Sequence, residues 1–299
     1  MIMPNKDSSA PLVSIVVITY NSVKFILETL ESAKLQTYEN LELIVSDDAS
    51  SDDTRTIVGD WISQNQDRFV KVRMVTTDHN QGTSKNLIRG IGSSHGEWIK
   101  IIAGDDILMP DCIADSLSFA VAGNCQFVTA RMIYFNEAGI LDRSDLRPEQ
   151  RRFFSKDIPG KLKSYIRNPV FLNIPSMFFS RDLYEKADGY DDEFFLLEDQ
   201  PFIFRVLMKG FDIQYLDKPT VKYRIHSGSV TGGGKEKFIR DTFKSYVKYR
   251  EPFLDKKNFT DLLFRIYIEF DFKLKLKGYL RKPFYRAFNR AAVCIRMFS

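Results

Sequence analysis

Cysteine is scarce in this 299-residue chain. Only Cys112, Cys125 and Cys294 occur, none in a CxxC pair, and the odd number leaves one without a mate. That pattern argues against a disulfide framework and a structural zinc site, and it suits a reducing compartment. Long apolar runs are missing too. The longest, Leu12 to Ile18, is strand-sized, well short of the roughly 18 residues that a membrane-spanning helix requires. Residues 1–10 are polar and lack the apolar centre of a signal peptide, so they read as a disordered segment. Phosphate-loop motifs fail on inspection. Gly90-Ile91-Gly92 is followed by Gly96, one residue late for GxGxxG, and Gly232-Gly233-Gly234-Lys235 has Glu236 where a Walker A loop needs Ser or Thr. The three histidines (79, 95 and 226) are scattered, and no Ser-His-Asp or Cys-His arrangement emerges.

What is present is a globular composition. The chain is 44% hydrophobic and 27% charged, which excludes a disordered or collagen-like polymer. Phe (25) and Tyr (13) supply large side chains for packing and for a cleft. The net charge of +4 is unevenly spread. Residues 235–299 hold 17 basic and 7 acidic residues, net +10, so the remainder is net −6. We therefore divide the chain into a body at 11–234 and a basic, mostly helical extension at 235–299.

The first half alternates apolar runs with stretches of helical spacing. Strands are expected at 12–19, 41–46, 70–75 and 98–103, with helices at 21–35, from Asp52 or Asp53 to about 64, and at 83–93. Repeated β-α units with apolar strands imply a parallel sheet covered on both faces. The second half is less regular. Residues 142–164, interrupted by Pro148 and Pro159, read as loop and short helix. Residues 213–216 and 221–225 read as two short strands, and 227–234 as a Gly/Ser-rich loop.

Carboxylates cluster at the ends of these elements. Asp47-Asp48 follows the second strand, Asp105-Asp106 follows the fourth, and Glu198-Asp199 opens a helix after a Phe/Leu run. In such sheets ligands bind beyond the carboxyl ends of the strands. Adjacent carboxylates repel, so a pair there is costly unless a cation or a set of donors lies between them. The plainer alternative is helix capping, which we prefer for Asp52-Asp53 and Asp191-Asp192.

Three ordered segments carry a family resemblance: VSIVVITYN, ELIVSDDASSDDT and NQGTSKNLIRGIGSSHGEWIKIIAGDDILMPD. Together they closely resemble the family 2 glycosyltransferases of the GT-A fold, strongly over residues 12–112 and more weakly through EDQPFIFRVLMKG and YRIHSGSVT. The resemblance implies a Rossmann-like, mixed but mostly parallel sheet flanked by helices. It also implies an inverting, metal-dependent transfer from a nucleotide-sugar, a UDP-sugar in our reading. Thr19, Tyr20 and Asn21 would line the nucleotide pocket. Asp48, on a polar turn, would accept from the base or ribose, and Lys85 would approach the base or diphosphate. Asp105 and Asp106 would hold Mn²⁺ or Mg²⁺, joined by His226, with Asp105 also reaching the nucleotide. Asp199 would be the general base, supported by Glu198. The family's D-x-D-D motif is reduced here to Ala103-Gly104-Asp105-Asp106, without its first acid.

The acceptor implied is a saccharide, lipid-linked in one version, in bacterial surface polysaccharide assembly. Two rivals stay open. A sugar nucleotidyltransferase would want a Gly-rich, Arg-containing loop after the first strand, which TYNSVKF is not. A noncatalytic membrane-docking module is admitted by Ala103. The tail also has two readings. Its aromatics, interleaved with eight basic and no acidic residues over 272–299, suit an anionic membrane interface, or a helix packed on the body with its charges in water. Nucleic acid is not expected, because the acidic body would oppose a phosphate backbone. The expected location is cytoplasmic, at the inner face of the membrane if the tail docks there.

Overall fold

The computed structural model describes residues 10–141, 146–170, 172–226 and 235–276. The expected loop at 227–234 and most of the basic tail lie outside them, as does the N-terminal segment up to residue 9. The element order is β1 (Val13–Thr19), α1 (Ile26–Lys34), β2 (Leu41–Asp47), α2 (Thr54–Asn65), β3 (Lys71–Thr76), α3 (Thr83–Gly92), β4 (Trp98–Ala103), β5 (Ile107–Leu108), α4 (Cys112–Ala122), β6 (Phe127–Asn136), β7 (Gly139–Leu141), α5 (Pro148–Phe154), α6 (Ile158–Arg167), β8 (Met177–Ser180), α7 (Arg181–Lys186), α8 (Asp199–Met208), β9 (Gln214–Arg224), α9 (Lys235–Ser245) and α10 (Phe259–Leu276).

These strands form one sheet in the order β3-β2-β1-β4-β8-β6-β9-β5, with β7 beside β6. Strands β1 to β4 are mutually parallel, β8 is antiparallel to both its neighbours, and β6 and β9 run parallel. The chain leaves β1 to one side through β2 and β3, then crosses back to β4 on the other. That reversal opens a crevice at the carboxyl ends of β1 and β4, the place where open α/β sheets bind ligands.

Alternation along the strands builds two apolar layers. Val13, Ile15 and Val17 of β1, with Leu41, Leu43 and Val45 of β2, face one layer under α1, α2 and α4. Val16, Ile44, Ile99 and Ile101 face the other, with Leu87 of α3, Phe202 and Val206 of α8, and Tyr165 of α6. Burial on both faces explains why these strands read as unbroken apolar runs.

Three sequence expectations change. Pro148 and Pro159 do not break structure; they occupy the first turns of α5 and α6, where the missing N–H costs nothing, and Asp157 caps α6 by accepting from the Gly160 amide. The two short strands expected at 213–225 are one, β9, whose pairing with β6 shifts register around Asp217–Thr220. Pro219 sits in that irregular stretch, where its lack of a donor is tolerated. Helix α1 starts only at Ile26, because residues 21–25 form a turn entered through Asn21 at a φ of 52°.

The described part of the extension packs on the body. Tyr246, Leu254, Phe264 and Tyr267 form a small core of their own, and Arg167 of α6 pairs with Asp261 of α10 at 2.6 Å. No helix among the described residues is long and apolar enough to cross a membrane.

Close packing of α3 on the sheet supplies a stability test. A Cβ at Gly90 would lie 2.6 Å from Val16 Cγ1, whereas one at Gly92 meets nothing within 4 Å. In urea unfolding, Gly90→Ala is expected to cost about 1–3 kcal/mol. Gly92→Ala is expected to be neutral or to gain up to about 1 kcal/mol.

Candidate active site

The crevice is built from three turns and a loop. Beyond β1, the Asn21 amide donates to Ser50 Oγ at 2.8 Å, and Asn21 Oδ1 accepts from the Ser51 amide at 2.8 Å. Beyond β2, Asp47 folds its own turn by accepting from the amide and hydroxyl of Ser50. The turns after β1 and β2 are thus tied to each other. Thr19 is buried beneath them, with its hydroxyl packed against Gly104, where a Cβ would come within 2.9 Å. Thr19 therefore forms the floor, while Tyr20 and Asn21 are exposed at the rim.

Asp48 lies on the expected turn, yet it is only 2% exposed. Its Oδ2 accepts from the amides of Gln81 and Gly82, at 3.0 and 2.8 Å, and its Oδ1 from Arg89 at 3.2 Å. The same guanidinium reaches the Asp47 carbonyl and Asn86 Oδ1. Arg89 was not singled out in the sequence, although Asn86 and Arg89 stand one helical turn apart and so share a face. Lys85 is exposed on the first turn of the same helix.

Beyond β4 the two acids separate. Asp105 is partly exposed, and its Oδ2 lies 2.9 Å from His226 Nε2. Asp106 is 1% exposed; its Oδ1 accepts from the Arg224 amide at 2.8 Å, and its Oδ2 is buried with no partner among the described residues. Burial, then the charge of Asp105, pushes the Asp106 carboxyl well above the usual range. Arg224 also escaped the sequence reading. It lies between the rings of Phe25 and Phe135, each about 4.5 Å away, and donates to the Asp105 carbonyl and to Glu28. Its placement fixes the segment that carries His226.

Glu198 and Asp199 lie at the start of α8. Asp199 Oδ1 accepts from the Gln200 amide at 2.7 Å, and Glu198 Oε2 is buried without a partner among the described residues. Burial pushes both carboxyls up. Asp199 rises to about 6, held back by the Gln200 amide; Glu198 rises to about 8, helped by the charge of Asp199. Burial and mutual repulsion therefore favour a proton held within the pair over two adjacent charges. The preceding loop reaches α3: the Thr83 amide donates to the Phe195 carbonyl at 2.9 Å. Gly82 is required below it, at a φ of 90° and with no room for a Cβ against Phe195. A line of contacts thus runs from Phe195, four residues before Asp199, through Gly82, Asp48 and Thr19 to the turn carrying Asp105.

This crevice, with carboxylates at its strand ends, is the GT-A arrangement. The sequence profile of Glycosyl transferase family 2 matches residues 14–187. The chain belongs to this family. Glu198, Asp199 and His226 lie beyond the matched segment, so their roles rest on the geometry and the weaker resemblance. Two curated relatives span most of the chain. One is the putative glycosyltransferase EpsH of Bacillus subtilis, 27% identical over 83% of this chain and 70% of that protein. The other is the GalNAc(5)-diNAcBac-PP-undecaprenol β-1,3-glucosyltransferase of Campylobacter jejuni, 24% identical over 80% and 81%. Across curated relatives, the chain spans from 33% to 81% of their lengths. Among solved structures, Staphylococcus aureus TarS 1–349 with UDP-GlcNAc aligns at a TM-score of 0.60, with 17% identity over 89% and 81% of the two chains. The mannosyltransferase PcManGT of Pyrobaculum calidifontis, with GDP-Man and Mn²⁺, aligns at 0.61, with 20% identity over 96% and 76%. These two establish the fold.

The raised Glu198 has a consequence for stability. The folded state keeps a proton that the unfolded chain gives up near its ordinary pKa of 4.5. Stability therefore falls as pH rises from there through about 8. Glu198→Gln, which mimics the protonated acid, is expected to raise the melting temperature at pH 8 and to change it little at pH 4, as read by calorimetry at both pH values.

Proposed function

We propose that this family 2 enzyme moves a sugar, with inversion, from a UDP-sugar to a saccharide acceptor on a lipid carrier. We place it in bacterial surface polysaccharide assembly, on the cytoplasmic side of the membrane. The observation that carries the proposal is the Glu198–Asp199 pair at the head of α8, with Asp199 and Glu198 Oε2 buried, at the end of a loop whose Phe195 is held against Gly82 and Thr83 beside the turns of the crevice. The UDP-GlcNAc bound to TarS supports the donor class, and the undecaprenol in the Campylobacter relative's name supports a lipid-linked acceptor.

Asp199 accepts the proton of the acceptor hydroxyl as that oxygen attacks the anomeric carbon. A carboxylate with a pKa near 6 is well matched to this at neutral pH. Glu198, holding its proton, keeps a second charge away from the attacking oxygen. Tyr20 and Asn21 edge the nucleotide pocket, and Lys85 reaches toward the diphosphate from the start of α3. Asp48 acts through the amides it holds rather than by direct contact.

A divalent cation suits the Asp105–His226 pair. One carboxylate and one imidazole are a reasonable start for Mn²⁺ or Mg²⁺, which take further ligands from substrate phosphates and water. No group of three or more His, Cys, Asp or Glu able to hold a metal occurs among the described residues, so the substrate would have to complete the shell. The buried, unpartnered Asp106 Oδ2 lies behind this pair and suits a positioning role better than that of a direct ligand. A cation bound there would neutralise charge on the departing diphosphate. Among the rivals, a nucleotidyltransferase gives no role to a buried acid pair on the acceptor side.

Two measurements test the proposal. Asp199→Asn is expected to lower turnover by about 10²- to 10⁴-fold while UDP-sugar affinity stays near wild type. In the wild type, the rate should fall as pH drops through about 6, where Asp199 takes up its proton. Activity within a few-fold of wild type would move the base to another residue. Separately, EDTA or Asp105→Ala should each weaken calorimetric UDP binding by at least about tenfold, a loss near 1.4 kcal/mol. Equal affinity in all three conditions would remove the metal.

A further inference from the structure

We propose that Asp241, in the extension beyond the family match, is a positioning residue for the Glu198–Asp199 pair. Helix α9 is the clamp through which it acts. This inference rests on the reading of Asp199 as the base.

The segment from Asp191 to Leu197 belongs to no helix or strand, so its amides must find partners elsewhere. Two of them find the same atom. The amides of Phe195 and Leu196 donate to Asp241 Oδ2 at 3.0 and 2.9 Å, and Asp241 is only 8% exposed. A buried carboxylate bridging two consecutive amides makes charge-assisted bonds, stronger than neutral ones and directional. It does for this loop what a capping side chain does for a helix end, but from a different helix.

Other residues on that face of α9 hold the same loop. Lys237 Nζ lies 3.0 Å from the centre of the Phe195 ring. Lys244 pairs with Glu193, and Lys248, in the wide turn that continues the helix, pairs with Glu193 and Asp191. Positions 237, 241, 244 and 248 are spaced as one helical face. The loop's other side rests on α3, through the Phe195 carbonyl and Gly82. It is therefore gripped between two helices, and Glu198 follows two residues after the gripped segment. Small displacements of a reacting group are costly, so the grip sets the rate. Tyr165, Tyr190 and Asp241 are the ionisable side chains that interact with the acid pair. Of these, Asp241 is the one whose charge favours the protonated form of Glu198.

The test uses the full chain with Asp241→Ala and Asp241→Asn. It reads amide hydrogen exchange over residues 194–199 and UDP release from UDP-sugars across pH. Asp241→Ala is expected to speed exchange in that segment by about tenfold or more. It should lower kcat by about 10- to 100-fold while the KM for the UDP-sugar stays within about twofold. Asp241→Asn keeps an accepting oxygen, so it should restore most of the protection and the rate. Having lost the charge, it should also let Glu198 give up its proton at lower pH, moving the alkaline limb of the pH profile down. Unchanged exchange in Asp241→Ala would overturn the clamp. Faster exchange with kcat within about twofold of wild type would overturn its role in positioning. If Asp241→Ala fails to fold, Asp241→Asn decides, and an unmoved alkaline limb counts against the proposal. If the wild type releases UDP from no sugar tested, the transferase reading fails, while exchange still rules on the clamp.

Discussion

The site hangs on the burial of the Asp48 carboxylate. A charge taken out of water is tolerable only when donors replace the solvent, and here two backbone amides and one guanidinium do so. The donors come from the start and the body of α3. The Gln81 and Gly82 amides fix where α3 begins, and that start supports the loop leading to Asp199. Arg89 ties the β2 turn to the body of α3 through the Asp47 carbonyl and Ser46 Oγ. The Asp48 amide in turn donates to the Thr19 carbonyl, locking the ends of β1 and β2 together. One carboxylate thus sets the spacing between the strand-end turns and the loop before α8.

The opposite edge of the sheet uses the same device for a different end. Buried Glu42 accepts from Ser14 and from the amides of His95 and Gly96, closing the bottom of β1, β2 and β4. Those bonds, with burial opposing them, hold its carboxyl below the usual range, as for a charge that stays ionised. The acids at the top behave differently. Asp106, Glu198 and Asp199 are all pushed upward, because burial there outweighs the donors provided. A buried carboxylate at one end of the strands and three at the other are thus tuned in opposite directions, and raised carboxyls of the second kind cluster at functional sites.

Much of this was legible in the sequence, for physical reasons that can be named. Strands buried on both faces must be apolar throughout, so β1, β2 and β4 stood out, and β4 emerged at its expected bounds. Acidic pairs just past those strands marked the crevice, and the Phe/Leu run marked the loop before α8. What escaped depended on long-range pairing. Arg224 acts through residues roughly two hundred positions earlier, Phe25 and Glu28 among them. The inward turn of Asp48 follows from Gln81 and Gly82, more than thirty residues away. Asp241 looks like any acid in a basic helix until the loop it holds is in place. Pro148 and Pro159 misled for a local reason: proline disrupts a helix interior and suits its first turn, and composition alone does not tell the two apart.

Half of the buried, unpaired side-chain atoms among the described residues lie around the proposed site. Thr19 Oγ1, Ser84 Oγ, Asp106 Oδ2, Glu198 Oε2 and Gln200 Oε1 are buried without partners among the described residues. All five lie on the turns and helix starts around the crevice. An unmet polar group costs about 1–3 kcal/mol, so a chain optimised for stability alone would have paired or replaced them. The lower edge of the sheet shows that this chain can build such pairing: Ser14, Glu42 and Gly96 share bonds there. A fold whose strands, turns and caps otherwise agree departs from that agreement at functional positions. The strain is also specific in kind. Three of these five are carboxylate or amide oxygens, acceptors that a cation, a sugar hydroxyl or a shared proton can satisfy.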